Sequence, residues 1–307
     1  MRVIYQTETV NMDPCVATVG FFDGLHIGHR FLIEELKAIA KVQNLKSVVI
    51  TFATHPRKVM HTDFQPELLT TLDEKLMQLE STGIDACVVL DFSPSMSLLS
   101  AYDFLKTILL EKYKVRTLLV GHDHRFGHNR ADGFPEYVEY GKALGIEVIQ
   151  ARRYVTNEDQ HISSSTIRLA LQEGDIAHAN RLLTYDYSFS GNVIGGFKVG
   201  RKIGFPTANL ELADPDKLIP AMGVYAVRVR WNNHFYKGMM NIGTRPTMDN
   251  SNNISIEVHI IDFNEDIYNE TLKIDLIRKI RDEKKFNGIE ELIVQLQKDK
   301  QQVIEMD

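Results

Sequence analysis

The sequence predicts an α/β chain in two parts: a doubly wound parallel sheet, then an antiparallel sheet or small barrel. Three observations carry this reading. Between residues 16 and 151, short apolar runs alternate with amphipathic stretches, as in a parallel sheet covered by helices on both faces. Beyond residue 185, β-rich runs follow one another with turn residues between them and no helical pattern, which favours antiparallel pairing. A last amphipathic stretch, residues 289–297, is placed to cover part of that second sheet. The boundary falls near residues 184–186, dividing the chain into 1–184 and 185–307.

Each element has its own warrant. Strands are expected over residues 16–21, 46–52, 86–90, 116–121 and 146–151, each a short apolar run bounded by polar or turn residues. Between them, apolar residues recur at helical spacing over 30–43, 73–81, 101–113 and 134–144, and two further helices are expected over 164–172 and 176–183. The second part reads as strands over 187–193, 224–231, 235–242, 254–261 and 271–277.

Bulk properties narrow the class. The chain has 307 residues, 44% of them hydrophobic and 25% charged, the balance of an ordinary globular protein. A net charge of −6 argues against nucleic-acid binding, which needs an extended basic surface. It leaves room for a small anion held locally. Residues 1–12 lack the apolar core of a signal peptide, and no apolar run approaches a membrane span. The two cysteines, Cys15 and Cys87, lie in apolar runs and read as buried thiols of a cytoplasmic protein.

Three segments of the first part carry chemistry. In the run from Gly20 to His29, an apolar strand leads through Phe21, Asp23 and Gly24 into an amphipathic helix, with His26 and His29 flanking Gly28 where the helix starts. Free N–H groups and the positive dipole end make such a place a phosphate site. The imidazoles add donors, and Gly20 and Gly28 let a nucleotide approach the backbone. The second segment is Ser163-Ser164-Ser165 followed by Arg168. One serine suits a helix cap. Three hydroxyls with a guanidinium one turn later also suit a triphosphate. The third, residues 121–130, holds His122, Asp123, His124, Arg125 and His128. Its histidines invite a zinc reading, but no cysteine is near, and a polar basic loop at a strand end fits nucleotide or anion contact better.

The second part opens with a run dense in glycine and cations: Gly195, Gly196, Lys198, Gly200, Arg201, Lys202 and Gly204, ending in Gly-Phe-Pro-Thr-Ala-Asn. A Walker spacing fails because Arg201 and Lys202 stand where Lys and Ser/Thr are required. Glycines with cations still form a phosphate-binding loop. Thr207 and Asn209 offer oxygens suited to Mg²⁺, a hard cation. Glu257, in a strand with apolar neighbours, is either a solvent-facing residue or a general base beside a bound alcohol.

Together, the His-x-Gly-His turn, the Gly121–Gly127 loop and Ile162-Ser-Ser-Ser resemble the HxGH nucleotidylyltransferases. Their order is similar to the adenylyltransferase half of bacterial bifunctional riboflavin kinase/FAD synthetases. Class I aminoacyl-tRNA synthetases also carry a HIGH sequence, but no KMSKS-type loop is present here. The Gly204–Asn209 string, Asn241-Ile-Gly-Thr-Arg-Pro-Thr and the Glu257 strand resemble the riboflavin kinase module, a six-stranded barrel with a terminal helix. The resemblance implies phosphorylation of riboflavin to FMN and adenylylation of FMN to FAD, with ATP and Mg²⁺. It implies that His26, His29 and Arg168 serve adenylyl transfer, and that Gly20, Phe21, Asp23, Gly28, Asp123 and Ser163–Ser165 bind nucleotide there. In the kinase it implies nucleotide contacts at Gly195, Lys198, Gly200, Arg201 and Gly204, and metal contacts at Thr207 and Asn209. Glu257 would be the base, with Asn241, Arg278 and Arg281 on the flavin side. The chain departs from the commoner family wording at Thr54 and His124. A chain with one working half is the alternative, as is a non-catalytic flavin or nucleotide sensor. Retention of both histidines and Glu257 argues against the sensor.

Overall fold

The computed structural model describes residues 1–306 apart from 9–10, 56–57, 60–66, 123, 129–130, 155–161, 197–198 and 246–252. It divides into two compact units, Met1–Ser163 and Ser164–Asp307.

The first unit is built on six parallel strands: β1 (Arg2–Tyr5), β2 (Cys15–Val19), β3 (Lys46–Phe52), β4 (Ala86–Leu90), β5 (Val115–Val120) and β6 (Glu147–Gln150). Their order is β1-β4-β3-β2-β5-β6. The helices α1 (Ile27–Gln43), α2 (Leu72–Glu80) and α3 (Phe134–Leu144) connect them. Side chains alternate across the strands, so the sheet has two buried faces. Val16, Val49, Cys87 and Val89 pack with Ile33, Leu36 and Leu79 from α1 and α2. Cys15, Ala17, Val48 and Val88 pack with Phe104, Leu109 and Tyr137 on the other face. The sheet is therefore doubly wound, as expected. Its order reverses between β2 and β5, and the crevice at such a switch point, beyond the carboxyl ends of the strands, is where α/β sheets bind ligands.

Three local expectations are corrected. The strand expected over 16–21 ends at Val19, because Phe22 takes a left-handed conformation with φ 55° that cannot continue a strand. The helix expected over 101–113 is a short α-turn, Ala101–Asp103, running into a π-helical stretch, Phe104–Lys112. Phe104 and Leu109, five residues apart, both face the core, which the wider winding permits. The edge strand β1 was not expected at all.

The second unit begins with α4 (Ser164–Glu173) and α5 (Ile176–Leu183). Then come β7 (Ser188–Ile194), β8 (Ala208–Leu212), β9 (Gly223–Trp231), β10 (His234–Arg245), β11 (Asn253–Ile260) and β12 (Thr271–Arg281). They close into an antiparallel barrel in the order β10-β11-β8-β7-β12-β9. Strand β8, which pairs with β7 and β11, was missed because it directly follows the glycine-rich run. The final helix α6 (Ile289–Ile304) packs Val303 against Phe205, Ala226, Met239 and Ile261.

Candidate active sites

The turn after β2 builds the first site. Asp23–Leu25 forms a single 3-10 turn, and α1 then starts with His26 as its N-cap. His26 Nδ1 accepts from the His29 backbone N–H at 3.3 Å. In the neutral ring the proton therefore sits on Nε2. The two imidazoles stack, with ring centres 3.7 Å apart at 17°. Phe22 meets His29 edge-on at 5.2 Å. Gly28 permits this stack: a Cβ there would lie 3.3 Å from His26 Cε1 and Nδ1. His29 Nδ1 is buried and has no hydrogen-bond partner among the described residues.

Beneath the turn, Asp23 and Lys75 are each 2% exposed. The Asp23 carboxylate accepts from the backbone N–H groups of Leu69 and Thr70, at 3.0 Å each, and from the Thr70 hydroxyl at 3.2 Å. Asp23 thus fastens segment 69–70 under the turn, its oxygens engaged with protein donors. Thr70 Oγ1 in turn accepts from Gly24 N–H. Phe21 stands at the edge of this frame, with His55 against its ring at 4.7 Å. A Cβ at Gly20 would lie 2.9 Å from the Phe22 ring.

Electrostatics keep both imidazoles neutral. Burial pushes His26 down to about 4, against a smaller opposing pull from Asp23. His29 retains some contact with solvent, yet its dense surroundings hold it well below the ordinary histidine value, with added repulsion from His26, His124 and Lys75. His124, from the loop after β5, thus belongs to the same neighbourhood. The structure brings together the ends of β2 and β5 at the switch point.

The serine run begins beside this turn, since a Cβ placed on Gly28 would lie 4.0 Å from Ile162 Cγ2, next to Ser163. Ser163 precedes α4, Ser164 and Ser165 open it, and Arg168 lies one turn inside, its helix anchored by Ile167, Ala170 and Leu171. Asp123 and Lys198 lie outside the described residues.

On the barrel, register makes the second site. Glu257 on β11 stands directly opposite Asn241 on β10 and Asn209 on β8, so the three share one face. Met239, two residues from Asn241, belongs to the cluster under α6. The row therefore lies on the outer face of the barrel. Thr207 Oγ1 donates to Glu257 Oε2 at 3.3 Å, and Asn241 Nδ2 donates to Glu283 Oε1 at 3.4 Å. Asn209 is 7% exposed, and Gly196 lies so close over its amide that a Cβ there would displace the Asn209 side chain. Gly195 follows the end of β7, a single helical turn spans Val199–Lys202 with Gly200 and Arg201 in it, and Gly204 is left-handed at φ 83°. The Gly200 carbonyl accepts from Ile203 and Phe205 N–H groups at 3.2 and 2.9 Å, curling the loop so that Thr207 reaches Glu257.

Arg278 is exposed on β12. Arg281 is engaged with α6: its Nε and Nη2 donate to the buried Asp299 carboxylate at 3.0 and 2.8 Å.

Sequence reading missed Lys75 and His259. Lys75 stands at i+3 from Leu72, with Leu76 and Leu79 at i+4 and i+7, so a lysine on the buried stripe was the available signal. His259 shares the face of Glu257, and its Nδ1 pairs with the Pro206 carbonyl at 2.8 Å, which fastens the Thr207 loop. A lone strand histidine gave no such signal.

Comparison with known proteins finds relatives for both parts of the chain. Residues 8–166 match the family model described as FAD synthetase, and residues 183–306 the one described as riboflavin kinase. A Bacillus subtilis (strain 168) protein named bifunctional riboflavin kinase/FMN adenylyltransferase is 39% identical over 295 residues, covering 94% of this chain and 91% of its own. A Listeria monocytogenes protein of the same name is 38% identical, covering 98% and 96%. A solved Streptococcus pneumoniae structure, described as a macrolide-efflux protein, superposes with a TM-score of 0.90 at 30% identity and covers 100% of both chains. No helix among the described residues is long and apolar enough to cross a membrane.

Proposed function

The chain belongs to the family of bifunctional riboflavin kinases/FMN adenylyltransferases, and from that premise we propose how its residues divide the work. The chain phosphorylates riboflavin to FMN with ATP and adenylylates FMN to FAD, releasing pyrophosphate. We assign adenylyl transfer to residues 1–184 and the kinase to residues 185–307.

In adenylyl transfer the terminal phosphate of FMN attacks the α-phosphorus of ATP. The nucleophile is already an anion, so the protein positions and stabilises charge. Neutral His26 and His29 donate hydrogen bonds to the oxygens on which charge develops. The free N–H groups at the start of α1 add to that field. Ser163, Ser164, Ser165 and Arg168 hold the polyphosphate, and Asp123 orients ribose or FMN. Gly20, Phe21, Asp23 and Gly28 shape the nucleotide's approach.

In the kinase the nucleophile is a neutral alcohol, the 5′-hydroxyl of riboflavin. Glu257 accepts its proton as the bond to the γ-phosphorus forms. Gly195, Lys198, Gly200, Arg201 and Gly204 cradle the phosphates, while Asn241, Arg278 and Arg281 shape the flavin side. The donor set beside Glu257 is all oxygen: the Thr207 hydroxyl and the Asn209 amide. Those two residues would hold Mg²⁺, which neutralises polyphosphate charge when bound. A cytoplasmic location accords with the buried free thiols of Cys15 and Cys87.

The row Asn209–Glu257–Asn241 carries this reading, because it sets one carboxylate between two amides with a hydroxyl already on it. The test is chromatographic separation of flavins after incubation with riboflavin, ATP and Mg²⁺. FMN and FAD should both appear, and chelating the cation should stop both. Unchanged turnover in chelator would remove Mg²⁺ from the scheme.

A further inference from the structure

Lys75 is a fully buried ammonium that the reaction scheme does not use. Burying such a charge is costly unless its hydrogen bonds are met. Here they are met by the ends of two strands. Nζ donates to the Phe21 carbonyl at 3.1 Å and to the Phe52 carbonyl at 2.9 Å. It also lies 4.1 Å from the centre of the Phe21 ring. The Thr51 hydroxyl donates to the same Phe21 carbonyl at 3.1 Å. Phe52 closes β3, and Phe21 stands between β2 and the turn that carries His26 and His29. Helix α2, which supplies Lys75, begins with a full capping box at Thr71 and Glu74. Its first turn is therefore fixed before the lysine side chain extends.

We propose that Lys75 is a positioning residue for adenylyl transfer: it ties the carboxyl ends of β2 and β3 to α2 and thereby sets the turn that presents the two histidines. The proposal rests on the assignment of adenylyl transfer to that turn. A second contribution is electrostatic. The ammonium faces Asp23 from the turn, Cys87 from β4 and His29 from α1, with His26 and His124 beside His29. Its positive charge opposes protonation of His29 and holds that ring in the form that stacks on His26.

The full chain carries its own control, because riboflavin phosphorylation takes place in the other unit. Lys75→Met keeps the stem and removes charge and donors, whereas Lys75→Arg keeps both. In Lys75→Met, kcat for FMN adenylylation should fall at least tenfold while KM for FMN and ATP stays within threefold. Riboflavin phosphorylation should be unchanged. Lys75→Arg should recover at least a third of the lost kcat. The ring titration of His29, followed by NMR, should move to higher pH in Lys75→Met and not in Lys75→Arg. A Lys75→Met kcat within twofold of the parent would overturn the proposal. So would equal losses in the two variants when both melt like the parent. If Lys75→Met does not fold, the parent decides: burial brings Lys75 down to about 8, so adenylylation alone should fall above pH 8, and a flat profile to about pH 9.5 overturns the role. His29→Ala separates the layers: if it retains adenylylation, the turn is not the site, and the proposal falls with that assignment rather than by itself.

Discussion

The turn after β2 encloses its imidazoles and keeps them neutral, whereas the barrel leaves Glu257 part-exposed between two amides. On the assignment proposed above, the contrast follows the nucleophile each reaction brings. An FMN phosphate needs no deprotonation, so a carboxylate there would only repel it. Neutral donors on a helix start serve it better. A riboflavin hydroxyl arrives with its proton, so a carboxylate must be present and accessible. The two units thus differ in the group that they keep beside the reacting oxygen: a neutral imidazole in the first, a carboxylate in the second.

The largest expected effect is the loss of that carboxylate's basicity. Glu257→Gln should lower FMN formation by about 10²- to 10⁴-fold and leave FAD formation from supplied FMN intact. Parallel loss of both activities would erase the contrast. Next comes His29→Ala, expected to lower FAD formation by about 10²- to 10³-fold with riboflavin phosphorylation unchanged in the same preparation. A smaller effect, about tenfold on FAD formation, is expected from Gly28→Ala. The added Cβ meets the His26 ring at 3.3 Å and tilts the stack without emptying it. A normal rate in this variant would show that the stack tolerates displacement.

A separate effect is on stability. His26 is pushed from 6.5 to about 4 in the folded chain. Between those values the unfolded chain binds a proton that folded His26 does not. The contribution is therefore complete above pH 6.5 and is lost as pH falls towards 4, at about 1.4 kcal/mol per pH unit. Replacing His26 by Asn, which still caps a helix, should flatten the acid side of the melting-temperature curve. Identical curves would mean that other groups set the acid limit.

The sheet order was legible only in part. Alternating apolar runs located β2 to β6 and both faces of the sheet. The edge strand Arg2–Tyr5 escaped because it is four residues long with one fully buried side chain, Ile4. Motif residues stood out because glycines and histidines cluster in sequence. Their partners did not, since Leu69, Thr70 and Lys75 reach the turn from 46, 47 and 54 residues away. The Asn209–Glu257–Asn241 row is a property of strand register, which no single segment contains. The π-helical stretch arises from packing of Phe104 and Leu109 into the core, a tertiary demand on a run with ordinary helical composition.

The closed barrel carries a consequence for how this protein tolerates insertions. Strand β11 is locked between β10 and β8, so its side chains cannot exchange faces by local slippage. One extra residue inside Asn253–Ile260, upstream of Glu257, would reverse the alternation there, turning the carboxylate inward and an isoleucine or valine outward. Lengthening the turns between strands leaves that alternation untouched. Chain length can therefore drift at the ends of the barrel while the strand that bears Glu257 keeps a fixed count.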